Sequence, residues 1–113
     1  MATIHLSGSG NPSEIAALLT REVQSSGFTC ELIDSVTRTW GGMTFTVLVF
    51  EKYYMRTSNR ASLTVVVSGA NGSVAVDAIG AAGGQNALFR FSWGADENFA
   101  GVVAEILRPR GFR

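Results

Sequence analysis

The chain has 113 residues, of which 46% are apolar and 16% are charged, and its nine basic residues balance nine acidic ones. Such a composition is typical of one compact domain, here expected to span residues 1–113, and it argues against long disordered segments. A neutral chain also lacks the overall electric field that would attract nucleic acid or anionic lipid.

The cysteine content and the hydropathy narrow the class of protein further. Cys30 is the only cysteine, so an intramolecular disulfide is excluded and a zinc site would lack its thiolates. No apolar run approaches the ~20 residues that cross a bilayer, and the first residues lack the apolar core of a signal peptide. We therefore expect a cytoplasmic protein that makes no membrane contact and holds neither metal nor cofactor.

The first elements in chain order are a strand and a helix with marked ends. A short alternating strand is predicted over residues 3–8. Asn11 then suits the N-cap of a helix, Pro12 suits its first turn, and Gly27 is predicted to end it in a left-handed conformation. The apolar stripe of this helix is Ile15, Leu18, Leu19 and Val23.

Between residues 28 and 93 the apolar period changes to two, which indicates strands. Turn signals separate the alternating runs, and the Asn71-Gly72 pair is a favoured two-residue hairpin loop. The runs are 28–40, 43–55, 60–69, 73–80 and an optional sixth strand over 86–93.

The last predicted element is a helix that Asp96 caps and Pro109 stops, which leaves residues 108–113 as a basic tail. The element order is therefore β-α-β-β-β-β-(β)-α. Short turns between consecutive strands favour an antiparallel meander. We predict a two-layer α+β domain in which two helices cover one face of a sheet of five or six strands. The stripe of the last helix is Phe99, Val102, Val103, Ile106 and Leu107.

Two helices leave the other sheet face uncovered, and both faces carry apolar residues. The run over 43–55 places Phe45, Val47 and Val49 on one face and Leu48 and Phe50 on the other. The sequence does not say which set meets the helices. The remaining set needs a cover, and a dimer through the sheet is the simplest one.

The glycine-rich segment 80–85 has two interpretations. It lacks the lysine and hydroxyl of a phosphate-binding loop, and a predicted strand follows it where a dinucleotide site requires a helix. We therefore predict a bulge or bend of the sheet, with Ala81 and Ala82 allowing close backbone approach. The alternative is an anion held by bare backbone amides.

Polar and aromatic residues concentrate at 50–60, where Glu51 shares a face with Val47 and Val49. A half-buried carboxylate needs a partner, and Arg60 on the next strand can provide a cross-strand ion pair. The sharper hypothesis makes Glu51 a general acid in a pocket. The candidate polar pocket for a small-molecule ligand comprises Glu51, Tyr53, Asn59, Arg60, Gly83, Gly84 and Gln85.

The remaining candidates are single residues and a basic surface. His5 is predicted on an edge or surface strand and Asp77 toward solvent, and nothing in the sequence joins His5 to Cys30 as a dyad. Trp40 and Trp93 border glycines and are predicted to close the ends of the core. Residues 52–60, together with the basic tail over 108–113, offer a nucleic-acid surface, against which the neutral net charge argues.

Two stretches, "VFEKYYMRTSNRASL" and "IGAAGGQNALFRF", resemble an uncharacterised family of small bacterial proteins, a domain of unknown function. The resemblance spans nearly the whole chain and implies a shared architecture without a known chemistry. The element order is also similar to TATA-binding-protein-like and helix-grip domains, which implies a fold and not a function. The matching residues are Phe50, Glu51, Lys52, Tyr53, Asn59, Arg60, Ser62, Leu63, Gly83, Gly84 and Gln85.

These patterns favour a non-enzymatic interaction module that forms a homodimer and binds a ligand or protein. One alternative is a small-ligand sensor or enzyme that uses the candidate polar pocket. The other is weak nucleic-acid binding through residues 52–60 and the basic tail.

Overall fold

A computed structural model describes residues 2–27, 29–54, 59–82 and 95–113. Its element order confirms the predicted α+β class. Gly83, Gly84, Gln85, Trp93 and the optional strand over 86–93 lie outside the described residues. The elements are β1 (Ala2–Ser9), α1 (Pro12–Gln24), β2 (Glu31–Trp40), β3 (Met43–Tyr54), β4 (Asn59–Ala70), β5 (Ser73–Ala82), α2 (Ala95–Leu107) and a short 3-10 helix (Arg108–Arg110).

The five described strands form one antiparallel sheet in the order β1-β5-β4-β3-β2. Strands β2 to β5 follow one another as the predicted meander, and β1 adds antiparallel to β5. The Asn71-Gly72 loop has φ values of 54° and 81°, and Gly41-Gly42 has 53° and 84°. Both loops therefore adopt the positive φ values that two-residue hairpins require.

The structure decides which sheet face meets the helices. Leu48 and Phe50 of β3 and Leu63 of β4 are buried beneath α1 and α2, on what we call the inner face. The opposite side, the outer face, carries the set that includes Val47 and Val49. The buried apolar side chains of the inner face are Leu6, Leu48, Phe50, Ala61, Leu63, Val65, Val67, Val74, Val76 and Ala78.

Helix α1 begins as predicted and ends differently. The Asn11 side-chain oxygen accepts hydrogen bonds from the backbone N–H of Ser13 at 2.8 Å and of Glu14 at 3.2 Å. At the other end, Ser25 caps the helix in a right-handed conformation, and its hydroxyl donates to the Arg21 carbonyl. The prediction of a left-handed Gly27 is therefore wrong, because serine groups satisfy the last carbonyls before the chain reaches that glycine.

Helix α2 begins at Ala95, so Asp96 lies inside it and the prediction that Asp96 caps the helix is wrong. The helix packs on the inner face and leads into a docked C-terminal segment. Of the predicted stripe, Phe99, Val103 and Leu107 are fully buried, and Val102 and Ile106 are partly buried against the core. Phe112 is also buried, and Arg113 exchanges backbone hydrogen bonds of 2.8 and 3.0 Å with Ser7 of β1. The segment predicted as a basic tail is thus anchored to the sheet edge.

Trp40 lies at the tip of the β2–β3 hairpin with 77% of its surface exposed. The prediction that it closes an end of the core is therefore wrong. The helices pack mainly over β1, β3, β4 and β5, so the end of β2 at the hairpin tip lies outside the area that they cover. Its neighbour across the strand, Met43, is likewise exposed at 38%.

Candidate functional site

Three residues of the candidate polar pocket meet where β3 ends and β4 begins. Arg60 Nη1 donates to Glu51 Oε1 at 2.6 Å, and the Arg60 guanidinium lies 5.6 Å from the centre of the Tyr53 ring. In the strand register Glu51 faces Ser62 and Tyr53 faces Arg60, so the ion pair is a diagonal contact. The structure therefore contains the cross-strand ion pair that the sequence suggested.

The surroundings of this pair indicate a surface contact. The side chains of Arg60 and Glu51 are 65% and 37% exposed, and an ion pair of that kind contributes at most about 1 kcal/mol. Glu31 lies directly across from Glu51 on β2, so Arg60 also offsets a repulsion between two carboxylates. Gly83, Gly84 and Gln85 lie outside the described residues, as does the side chain of Asn59, and their convergence with Glu51 stays a prediction.

The basic residues of these two segments that the structure describes do not share one surface. Lys52 lies 5.8 Å from the centre of the Phe99 ring on the inner side of the sheet, whereas Arg60 lies on the outer face. The arginines of the C-terminal segment follow α2, and that segment docks at β1, two strands away from β4. This separation argues against a continuous nucleic-acid surface built from residues 52–60 and 108–113.

His5 and Cys30 are far apart in the sheet. His5 lies on the β1 edge, and its Nδ1 is 2.7 Å from Asp77 Oδ1 on the neighbouring strand. Cys30 precedes β2, which forms the opposite edge, so the two residues do not form a dyad. Burial raises the pKa of the Cys30 thiol, and the Lys52 charge offsets only part of that effect. A buried thiol of this kind is a poor nucleophile.

An apolar surface on the outer face is the feature that sequence reasoning located only in part. Cross-strand pairing places Val36, Val47 and Val66 in one row, which continues to Asp77 and His5 at the far edge. The alternation of apolar residues along the sequence indicated apolar side chains on both faces of the sheet, but it did not indicate which face the helices cover. We call the set the outer patch: Val36, Trp40, Met43, Phe45, Val47, Val49, Val66 and Ile79.

Other kinds of site find little support in the described part of the chain. Its His, Cys, Asp and Glu residues nowhere form a group of three that could hold a metal ion. Neither α1 nor α2 has the length and hydropathy that crossing a membrane requires.

A family model called "Family of unknown function (DUF6054)" matches residues 1–110. The chain belongs to DUF6054. The match covers every described strand and both described helices, and it confirms the resemblance to an uncharacterised family. A bacterial origin of DUF6054 and a similarity to TATA-binding-protein-like domains stay predictions. No curated protein matches the chain.

Proposed function

We propose that this DUF6054 domain is a non-enzymatic interaction module that associates with a second copy through the outer face of its sheet. The outer patch is the observation that carries the proposal. Val36 is 42% exposed, and Trp40 and Met43 are more than one-third exposed. Large apolar side chains gathered on one exposed face are characteristic of a protein–protein contact.

The dimensions of the face fit a stable dimer. Five strands about 4.8 Å apart, each roughly 30 Å long, span on the order of 700 Å². A standard protein–protein interface removes about 800 Å² from each partner. Two outer faces packed together would thus approach the usual interface size and would resemble the aligned packing of a β-sandwich.

The distribution of polar groups also supports an interface. Apolar side chains of the outer face concentrate on β3 and on the β2–β3 hairpin, whereas the Glu51–Arg60 pair lies at one end. The His5–Asp77 pair lies on the two strands farthest from β2. An apolar surface bordered by polar groups is common at an interface between proteins.

The test places a charge at the centre of the outer patch. Val47→Arg puts a guanidinium opposite Val36 and Val66, and its long side chain can reach solvent in the monomer, so the fold should persist. Ala17→Arg adds the same charge at an exposed position of α1 and is the matched control. We expect light scattering to give a lower mass for Val47→Arg than for the wild type and Ala17→Arg.

Two outcomes would contradict the proposal. One is a monomeric wild-type protein throughout the micromolar range. The other is a Val47→Arg protein with the wild-type mass and an unchanged circular dichroism spectrum.

A further inference from the structure

The outer edge of β2 presents backbone groups that no other described strand pairs. Among the described strands β2 pairs only with β3, and its residues 33–40 are exposed. Trp40 and Met43 flank the two-residue turn and form a hydrogen-bonded pair. Because hydrogen-bonded pairs alternate along an antiparallel ladder, Arg38 and Val36 also direct their backbone N–H and C=O groups toward β3. The N–H and C=O groups of Ser35, Thr37 and Thr39 therefore point away from the sheet.

Two charged side chains occupy the places that a neighbouring strand would take. The Ser35 N–H donates to the Asp34 carboxylate at 2.8 Å, although the two residues are adjacent. Arg38 Nη1 donates to the Thr37 carbonyl at 3.3 Å, again between neighbours. One outward donor and one outward acceptor of β2 are thus satisfied by local side chains, as substitutes for a backbone partner.

We propose that β2 pairs antiparallel with β2 of a second copy, about a two-fold axis that passes beside Val36. In this register Ser35 lies opposite Thr37 of the second copy, and their outward backbone groups bond each other. Asp34 lies opposite Arg38 of the second copy, and the symmetry repeats this contact. The carboxylate and the guanidinium leave their own backbone and pair across the new interface.

Charge complementarity selects this register among the antiparallel ones. An axis at Thr37 would place Asp34 opposite Trp40 and Arg38 opposite Val36, which leaves both charges unmatched. The axis at Val36 matches both charges and joins the two valines at the centre. Ile33 forms a bulge between Leu32 and Asp34, so the regular pairing is confined to residues 34–38.

The edge contact and the contact through the outer patch are separate proposals. The first pairs backbone groups at the outer edge of β2, and the second packs the side chains of the outer patch, with Val36 taking part in both. Either contact can form without the other. Every edge variant is therefore measured in the wild-type chain and also in Val47→Arg, so that a failure of one proposal is distinguished from a failure of the other.

Charge exchange tests the register. Asp34→Arg and Arg38→Asp each place like charges opposite one another twice, and we expect each to raise the dissociation constant about tenfold or more. The double variant D34R/R38D restores opposite charges and should recover association. Both positions are exposed, so the fold should tolerate the changes. Stronger association of D34A/R38A would overturn the proposal, because the charges would then be protecting the edge.

Disulfide trapping tests the same register independently. In a Cys30→Ser background, Val36→Cys would bring two thiols together at the axis, where the opposing Cβ atoms of a non-hydrogen-bonded pair lie about 4.5 Å apart, close enough for a disulfide. Thr39→Cys is the control on the same strand, because its two copies would be roughly 20 Å apart. With oxidised glutathione as oxidant, we expect covalent dimers of the first variant only. Equal trapping of both variants, or of neither, would overturn the register.

Discussion

At the residue scale, Cys30 shows how burial sets the chemistry of a side chain. The thiol is buried beside the start of β2, where removal from water disfavours the thiolate. The Lys52 ammonium favours the thiolate, yet the pKa of Cys30 stays above its ordinary value of 9.0. Cys30 is therefore part of the core and not a reactive group.

This environment predicts a pH-dependent contribution to stability. Because the folded pKa of Cys30 lies above the unfolded one, the contribution is complete below pH 9.0 and is lost as the pH rises through the folded pKa. Urea unfolding measured across this pH range should show a decline in the free energy of unfolding that the Cys30→Ala protein lacks. Ellman's reagent should also label the native thiol on the order of tenfold or more slowly than the unfolded one. Equal labelling rates would contradict the burial argument.

The sequence predicted the structural role of some single residues correctly and of others wrongly. Asn11 was predictable because an N-cap depends on the backbone within three residues of itself. Gly27 was not, because Ser25 and Ser26 compete for the same helix carbonyls. Trp40 was mispredicted because its burial depends on where the helices end, which its neighbours in the sequence do not specify.

At the element scale, the end of β4 at Gly69 lies very close to β5 and to the first turn of α1. A Cβ added to Gly69 would lie 2.6 Å from the Ser73 carbonyl oxygen and 3.2 Å from the Pro12 side chain. The backbone of β5 and the first turn of α1 therefore both depend on the missing side chain. A glycine is needed here for space, since its φ is not in the left-handed region.

Two glycine-to-alanine substitutions should have opposite effects. Gly69→Ala should lower the free energy of unfolding by roughly 1–3 kcal/mol, because backbone atoms would have to move. Gly101 lies within α2, and an added Cβ meets nothing within 4 Å. Gly101→Ala should therefore raise stability by about 1 kcal/mol through helix propensity. Urea unfolding of both variants checks the pair, and two changes of the same sign would contradict it.

At the scale of the whole molecule, the core is one-sided. Both described helices pack on the inner face, and Val65 at the centre of β4 has no exposed surface. Val66, the next residue, points to the outer face and is only half-buried. The same side chain thus occurs on the same strand in two environments.

This contrast predicts that a valine-to-alanine substitution lowers the free energy of unfolding by different amounts at the two positions. Val65→Ala should cost about 2–3 kcal/mol through lost burial and a cavity. Val66→Ala should change stability by less than about 1 kcal/mol when the protein is dilute enough to be monomeric. Urea unfolding curves compare the two variants directly. Equal costs would mean that the outer face is covered within a single chain.

The sequence by itself determined what depends on neighbouring residues: the two helices, the alternating strands and the Asn71-Gly72 turn. It did so because capping, periodicity and turn geometry act over a few residues. Only the tertiary structure decided that Leu48 and Phe50 face the helices while Val47 and Val49 face away. Both sets are apolar with a period of two, so the choice depends on where α1 and α2 pack. That packing joins residues distant along the chain, and within the part of the chain that the structure describes it covers neither the outer patch nor the β2 edge.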